Sequence, residues 1–449
     1  GGLTGSGAEM AGASGHGALI NLETVPTRIA GLTPYEIALS ESQERVLFCI
    51  SPSEVPKVIR LAKKWDLRAA DVGEVTSTGK IEMAWKGERV CHLPISLIED
   101  GPKYDRPRTP LPPPPIAPSS PCPPDPVAFL NQMAARPNIA RKAWVWEQYD
   151  SQVQANTVVK QGRDAGVLQV EGKRGIALSA DAKPMWCLAD PYWGAAHTVV
   201  EGAFNVAVRG ARPLGITNCL NFGNPEKPSV MEAFSQAVDG ISAASRAMDT
   251  PITGGNVSFY NESPGGAIPP TPTIGMVGVI SDLDGMRGRS PQVGDQIMLL
   301  GNTEDWTLAG SEALQALVPD LPATLPPLNL EEARETLERL LVVAPHTAWL
   351  SDLSEGGLFD AFLRLLPLGM GASLSCPLDG DWLSFLFSEA PARVVFGISE
   401  GEEPPRESLS VGVVTGDDRL ACSGWSAPLG PIREAWEGFF PHLIEGKLG

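Results

Sequence analysis

Residues 107–126 read PRTPLPPPPIAPSSPCPPDP, and this stretch constrains the architecture of the chain more than any other. Proline fixes φ, removes a backbone donor and biases the residue before it towards extended conformations. Neither a helix nor an internal strand can run through it, so it is read as an extended linker. A chain of 449 residues suits about three domains, and the linker places them in two groups.

Ahead of the linker, residues 46–50 read as a buried strand. Residues 56–65 read as a helix, with Val55, Val58, Ile59, Ala62 and Trp65 near helical spacing. Strands follow at 72–75 and 81–85, where Ile81, Met83 and Trp85 alternate. Behind the linker, residues 231–248 form a helix with Phe234, Ala237, Val238, Ile241 and Met248 on one face. Strands are expected at 214–217, 274–280 and 296–300. The fold class is a mixed α/β or α+β one.

Three markers near the start recur in order near the end. Gly1-Gly2-Leu3, Ser40-Glu41-Ser42-Gln43-Glu44-Arg45-Val46 and Val72-Gly73-Glu74-Val75-Thr76 form the first set. Gly356-Gly357-Leu358, Ser388-Glu389-Ala390-Pro391-Ala392-Arg393-Val394 and Val411-Gly412-Val413-Val414-Thr415 echo them. We read two copies of one domain flanking a different middle domain. The expected boundaries are 1–100 for the first copy, 101–126 for the linker, 127–283 for the middle domain and 284–449 for the second copy. Asp352-Leu353-Ser354-Glu355 precedes the second Gly pair, whereas the first copy opens on its Gly pair, so a further upstream segment is expected.

Charge and cysteine usage narrow the function classes. With 35 Lys and Arg against 53 Asp and Glu, the net charge is −18, which repels nucleic acid and anionic lipid at long range. A local pocket for a small anion stays compatible with that field. Seven cysteines without a CxxC pair fit reduced thiols rather than zinc or a disulfide framework. No apolar run approaches the roughly 20 residues of a bilayer span. No charged-then-apolar leader is present, so a cytoplasmic location is expected. No GxxxxGK[ST] and no GxGxxG between strand and helix occurs, so any ATP site has another architecture. His197 reads as a helix residue, and Cys219 as a buried structural thiol.

Two segments stand out chemically. One runs from Asn218 to Pro228 and the other from Thr253 to Glu262; both are dense in Asn, Gly and hydroxyl residues and read as loops beside hydrophobic segments. Glycine admits close backbone approach, while Asn and Ser offer neutral donors and acceptors, as a phosphate-rich ligand requires. Asn and Gly are also ordinary turn residues, so surface turns remain an alternative. Glu41-Ser42-Gln43 likewise reads either as a solvated loop or as a ligand clamp. In the second copy Ala390-Pro391 replaces Ser-Gln, so the two copies cannot hold the same ligand.

SESQER at 40–45, TNCLNFGNPEKP at 217–228, GGNVSFYNE at 254–262 and PTPTIGMVGVI at 270–280 resemble the synthetase subunits of phosphoribosylformylglycinamidine synthase, of the AIR-synthetase-like superfamily. The resemblance implies a tandem of AIR-synthetase-like halves. Three of the four domains would be present here: the C-terminal domain of the first half, then the N- and C-terminal domains of the second. It implies ATP-dependent amidation of formylglycinamide ribonucleotide, with ammonia from a glutaminase subunit, a small bridging subunit, and Mg2+ and ATP as cofactors. Glu41, Ser42, Gln43 and Ser258 match substrate contacts, Gly255 an ATP contact and Asn256 a magnesium ligand. Asn218 falls where many members have an Asp contacting ATP. Gln161-Gly162-Arg163-Asp164-Ala165 resembles the family's PGGDAA with two departures and is assigned no role. The family's catalytic histidines fall in the segment expected upstream, so no catalytic residue is assigned and the chain alone is expected to be inactive. The alternatives are another ATP-dependent enzyme of the superfamily, or a non-catalytic nucleotide-binding scaffold.

Overall fold

The structure, a computed structural model, describes residues 2–42, 44–101, 103–113, 122–285, 289–303, 306–319, 325–326, 328–378, 380–422 and 424–446. It divides into two compact units, Gly1–Asp105 and Arg106–Gly449. Among the described residues of 107–113 there is no regular structure, in line with the proline content; 114–121 lie outside the described residues.

The first unit carries β1 (Gly17–Asn21), β2 (Gly73–Thr76), β3 (Lys80–Trp85) and β4 (Glu88–Pro94) in the order β2-β1-β3-β4. β1 is antiparallel to β2 and parallel to β3, and β3 is antiparallel to β4. Helix Leu3–Gly12 buries Leu3, Ala8 and Ala11 against Ile20, Ile81 and Met83 of the sheet. Helix Pro34–Leu39 starts at a reciprocal cap between Thr33 and Glu36, which satisfies two otherwise open donors. Helix Val55–Lys64 forms as its spacing predicts, yet none of its residues is buried.

The strand expected at 46–50 is absent: these residues are irregular, and Val46, Phe48 and Ile50 are exposed. An apolar run makes a strand only where neighbours complete its hydrogen bonds. Its counterpart in the second unit has two such neighbours, and among its described residues the first unit supplies none.

The second unit holds two larger sheets. The first comprises β5 (Thr157–Val159), β6 (Gly166–Glu171), β7 (Arg174–Ala182), β8 (Arg212–Asn221), β9 (Ile252–Ser258) and β12 (Thr271–Ile280), ordered β5-β6-β7-β12-β8-β9. A short hairpin, β10 (Glu262–Ser263) and β11 (Gly266–Ala267), stands apart. Along β12, Pro272, Ile274, Met276, Gly278 and Ile280 are buried at a period of two residues. Helices Pro191–Ala207 and Pro228–Met248 share one core with this sheet, through Val199, Ala203, Ala237 and Ile241.

The other sheet contains β13 (Gln296–Gly301), β14 (Trp349–Asp352), β15 (Gly371–Leu374), β16 (Arg393–Ile398), β17 (Leu409–Thr415), β18 (Arg419–Cys422) and β19 (Trp425–Pro428). Its order is β14-β16-β13-β17-β15-β18-β19. The last four positions repeat β2-β1-β3-β4 with the same orientations. Gly73 and Gly412 both have φ +156, where a Cβ would lie 2.0 Å from the Leu19 carbonyl oxygen and 2.3 Å from that of Ser373. β16, the counterpart of 46–50, is flanked by β13 and β14 and buried throughout.

Candidate functional site

Both Asn- and Gly-rich segments, expected as loops, contribute strands. Asn218 to Asn221 continue β8, and 252–258 form β9 alongside it. Parallel pairing satisfies their backbone groups and outweighs the weak strand propensity of Asn and Gly. Asn218 lies opposite Gly255, Cys219 opposite Asn256 and Asn221 opposite Ser258. The pairing gives Gly255 a physical reason: a Cβ there would stand 2.1 Å from Asn218 Oδ1. Only hydrogen leaves room for the Asn218 amide to lie across the neighbouring strand.

The chain beyond these strands is clasped. Lys227 Nζ donates to both carboxylate oxygens of Glu262, at 2.8 and 3.0 Å, and the Asn224 N–H donates to the same group at 3.0 Å. Lys227 and the Asn224 amide hold the Glu262 carboxyl below the usual range. Asn261 Nδ2 donates to the carbonyls of Phe222 at 3.0 Å and Ser258 at 2.9 Å, fixing Ser258 against the end of β8. Phe234 lies edge-on between Phe222 and Phe259, with centroids 5.2 and 5.0 Å apart.

Asn218, Gly255, Asn256 and Ser258 are thus brought together at one sheet edge. Glu41 and Ser42 are exposed in the first unit, and Gln43 lies outside the described residues. The surroundings of Asn256 do not make a magnesium centre. Its amide nitrogen faces Cys219 Sγ at 3.9 Å, and among the described residues no three His, Cys, Asp or Glu side chains converge to hold an ion.

The second unit also contains a polar cavity of about 1000 Å³, between the six-stranded sheet and the C-terminal helix, that the sequence reading missed. Gln161, Gly162, Arg163 and Asp164, from the segment assigned no role, form part of its wall together with Lys160. Asp164 is buried between Arg209 and Arg364, with Arg364 Nη1 at 2.7 Å and Ser351 Oγ donating at 2.7 Å. Burial alone would raise its pKa, but the two guanidinium groups hold it down at about 2. Lys183 Nζ lies 2.6 Å from Glu201 and 3.0 Å from Glu355. Burial, reinforced by Glu355, pushes Glu201 up to about 8, and Asp181 rises to about 7 on burial. Glu355 shifts the other way, because Lys183 outweighs its burial. His197 is a buried helix residue, as read from the sequence; burial and Lys183 push it down to about 3. Asp164, Lys183, Glu201, Ser351 and Arg364 are scattered over 200 residues with no spacing to mark them. The likeness of 161–165 to a family motif was the one available signal.

Residues 1–86 match the family described as AIR synthase related protein, C-terminal domain, and residues 162–280 match its N-terminal domain counterpart. By fold the chain is an AIR synthase related protein. The phosphoribosylformylglycinamidine synthase subunit PurL of Carboxydothermus hydrogenoformans is 42% identical over 93% of this chain and 60% of its own length. That of an Anaeromyxobacter species is 37% identical over 100% of this chain and 63% of its own. The structure of T. maritima PurL complexed with ATP superposes with a TM-score of 0.68 at 23% identity, covering 92% of this chain and 62% of that one. The same protein complexed with FGAR gives 0.66. The chain is similar to PurL subunits over nearly its whole length, and spans about 60% of the length of the curated relatives it matches.

Proposed function

We propose that this chain is part of a synthetase that amidates formylglycinamide ribonucleotide to formylglycinamidine ribonucleotide in purine (IMP) biosynthesis, consuming ATP. An amide oxygen is a poor leaving group, so ATP first transfers a phosphoryl group to it, giving an iminophosphate. Ammonia then attacks the activated carbon and phosphate departs. The relatives named PurL, and the T. maritima structures with ATP and with FGAR, support this reading. A T. maritima assembly named PurLQS supports two partner subunits, which we read as the glutaminase and the small bridging subunit. No described helix is long and apolar enough to cross a membrane, which agrees with a cytoplasmic enzyme.

In this reading residues 1–100 and 284–449 are two copies of the C-terminal domain and 127–283 the N-terminal domain, with 101–126 as the linker between them. Asn218 and Gly255 contact ATP, while Ser258, Glu41, Ser42 and Gln43 contact the ribonucleotide. Charge that builds on a transferring phosphoryl group is met best by donors already in place. The observation that carries the reading is the register setting Asn218 against Gly255, with Asn256 and Ser258 further along the same strand. Magnesium is expected with ATP, but Asn256 offers one neutral oxygen where the ion usually takes carboxylates, so no step is derived through it.

Calorimetric titration tests the reading. ATP binding should weaken in G255A, where a methyl group displaces the Asn218 amide, and formylglycinamide ribonucleotide binding should weaken in S258A. If neither substitution moves either affinity, the site lies elsewhere. Binding of ATP with indifference to the ribonucleotide would favour the scaffold alternative.

A further inference from the structure

Acids gather along the wall of the second unit's cavity, and Asp164, Asp181, Glu201 and Glu355 among them each already have an internal donor. Asp164 is met by Arg209, Arg364 and Ser351. Asp181 accepts from Ser179 Oγ at 2.7 Å and Asn205 Nδ2 at 2.8 Å. Glu201 and Glu355 share the ammonium of Lys183.

Lys183 is placed firmly. It immediately precedes the helix Pro184–Ala189, is 5% exposed, and its Nζ stands 4.5 Å from the Trp186 ring centroid. That ring is anchored in turn, since Trp186 Nε1 donates to the Gly310 carbonyl at 2.8 Å. An aromatic face stabilises a desolvated ammonium, which compensates part of the cost of burying it. The ammonium holds the two carboxyl groups at 2.6 and 3.0 Å, whereas magnesium would draw its oxygens to about 2.0–2.1 Å and keep several waters.

We propose that Lys183, which stands behind the cavity wall and reaches Glu201 and Glu355 of its lining, is the resident counter-cation of those two groups, in the place a divalent ion bridging them would need, so that their charge balance is independent of metal. The inference does not rest on the reaction proposed above. It follows that removing the ammonium leaves Glu201 and Glu355 as an open pair of oxygen ligands, and that the cavity then accepts a divalent ion.

The test is Mn2+ binding to the full chain, followed by electron paramagnetic resonance, with thermal unfolding in EDTA and in MnCl2. The wild-type chain should show no Mn2+ uptake that E201Q abolishes, and one melting temperature for its second unit in both buffers. K183M should take up about one Mn2+ per chain, with a melting temperature that rises as MnCl2 is added. The uptake should vanish in K183M/E201Q, and K183R should behave as the wild type. Mn2+ uptake by the wild type that E201Q removes would overturn the proposal, as would a folded K183M that takes up none. If K183M folds only when MnCl2 is supplied, the proposal stands. If it folds in neither buffer, no ion can replace the ammonium, and the proposal fails.

Discussion

In the first unit, a helix ends at Ser40 (φ −60, ψ 129), Glu44 turns with φ 60, and Arg45 reaches back to the Ser40 carbonyl. In the second unit Ser388 (φ −63, ψ 126), Ala392 (φ 58) and Arg393, which donates to the Ser388 carbonyl at 2.8 Å, repeat each step. The surroundings differ. Arg393 is fully buried, 4.9 Å from the Trp306 ring, and leads into a strand with a partner on either side. Glu389 is buried and accepts from the N–H groups of Gly356 at 2.8 Å and Glu312 at 2.9 Å. Glu41 and Ser42 are exposed. One backbone pattern therefore serves as an internal lock in one place and an open surface in the other. What decides is the neighbouring strands, not the motif.

The largest contrast should come from the two arginines. R393M removes a buried guanidinium from its hydrogen-bonding partners and should destabilise the second unit by about 3–5 kcal/mol. R45M, at an exposed site, should leave calorimetric unfolding of the first unit unchanged; an equal loss in both would break the distinction. The glycines should show the opposite, a likeness. G73A and G412A place a methyl against a carbonyl in an unfavourable conformation, and each should cost its own unit roughly 3 kcal/mol. A loss in one unit alone would mean that the repeat is superficial.

E389A should come next. It strands two helix-start donors and should lower the stability of the second unit by roughly 2 kcal/mol, read by chemical denaturation. E41A should not move stability, and in the proposed reading should weaken ribonucleotide binding instead. The smallest effect is on pH dependence. Asp181 and Glu201 are raised to about 7 and about 8, so their contribution is complete below their ordinary values of 3.8 and 4.5 and fades as pH climbs through 7 and 8. Asp164, held at about 2, contributes above its ordinary 3.8 and loses that contribution only as pH falls towards 2. The melting temperature of the second unit should therefore fall as pH rises from about 4 to about 8 and level off above that, and D181N should flatten the slope.

The repeat was legible because Gly73 and Gly412, and the turns before Arg45 and Arg393, demand particular residues at fixed offsets. Helix Pro228–Met248 was legible over 231–248 from its periodic apolar face. The failure at 46–50 has a plain cause: Val46, Phe48 and Ile50 carry a strand's composition, but a strand is a property of its partners. The edge β8–β9 was found through its composition and misread as loops, because Asn and Gly seldom fill strands. The cavity had no local signature. Asp164 meets Arg364 only through the fold, and charged residues 200 apart in sequence announce nothing about each other.

One carboxyl group, that of Glu389, ties down the starts of two helices, through the amide of Glu312, the first residue of helix Glu312–Leu317, and that of Gly356, the cap of helix Gly357–Leu365. Those two amides should consequently lose their deuterium protection in step, opening together in one fluctuation rather than fraying each on its own. A tether of that kind turns two separate helix ends into a single cooperative joint.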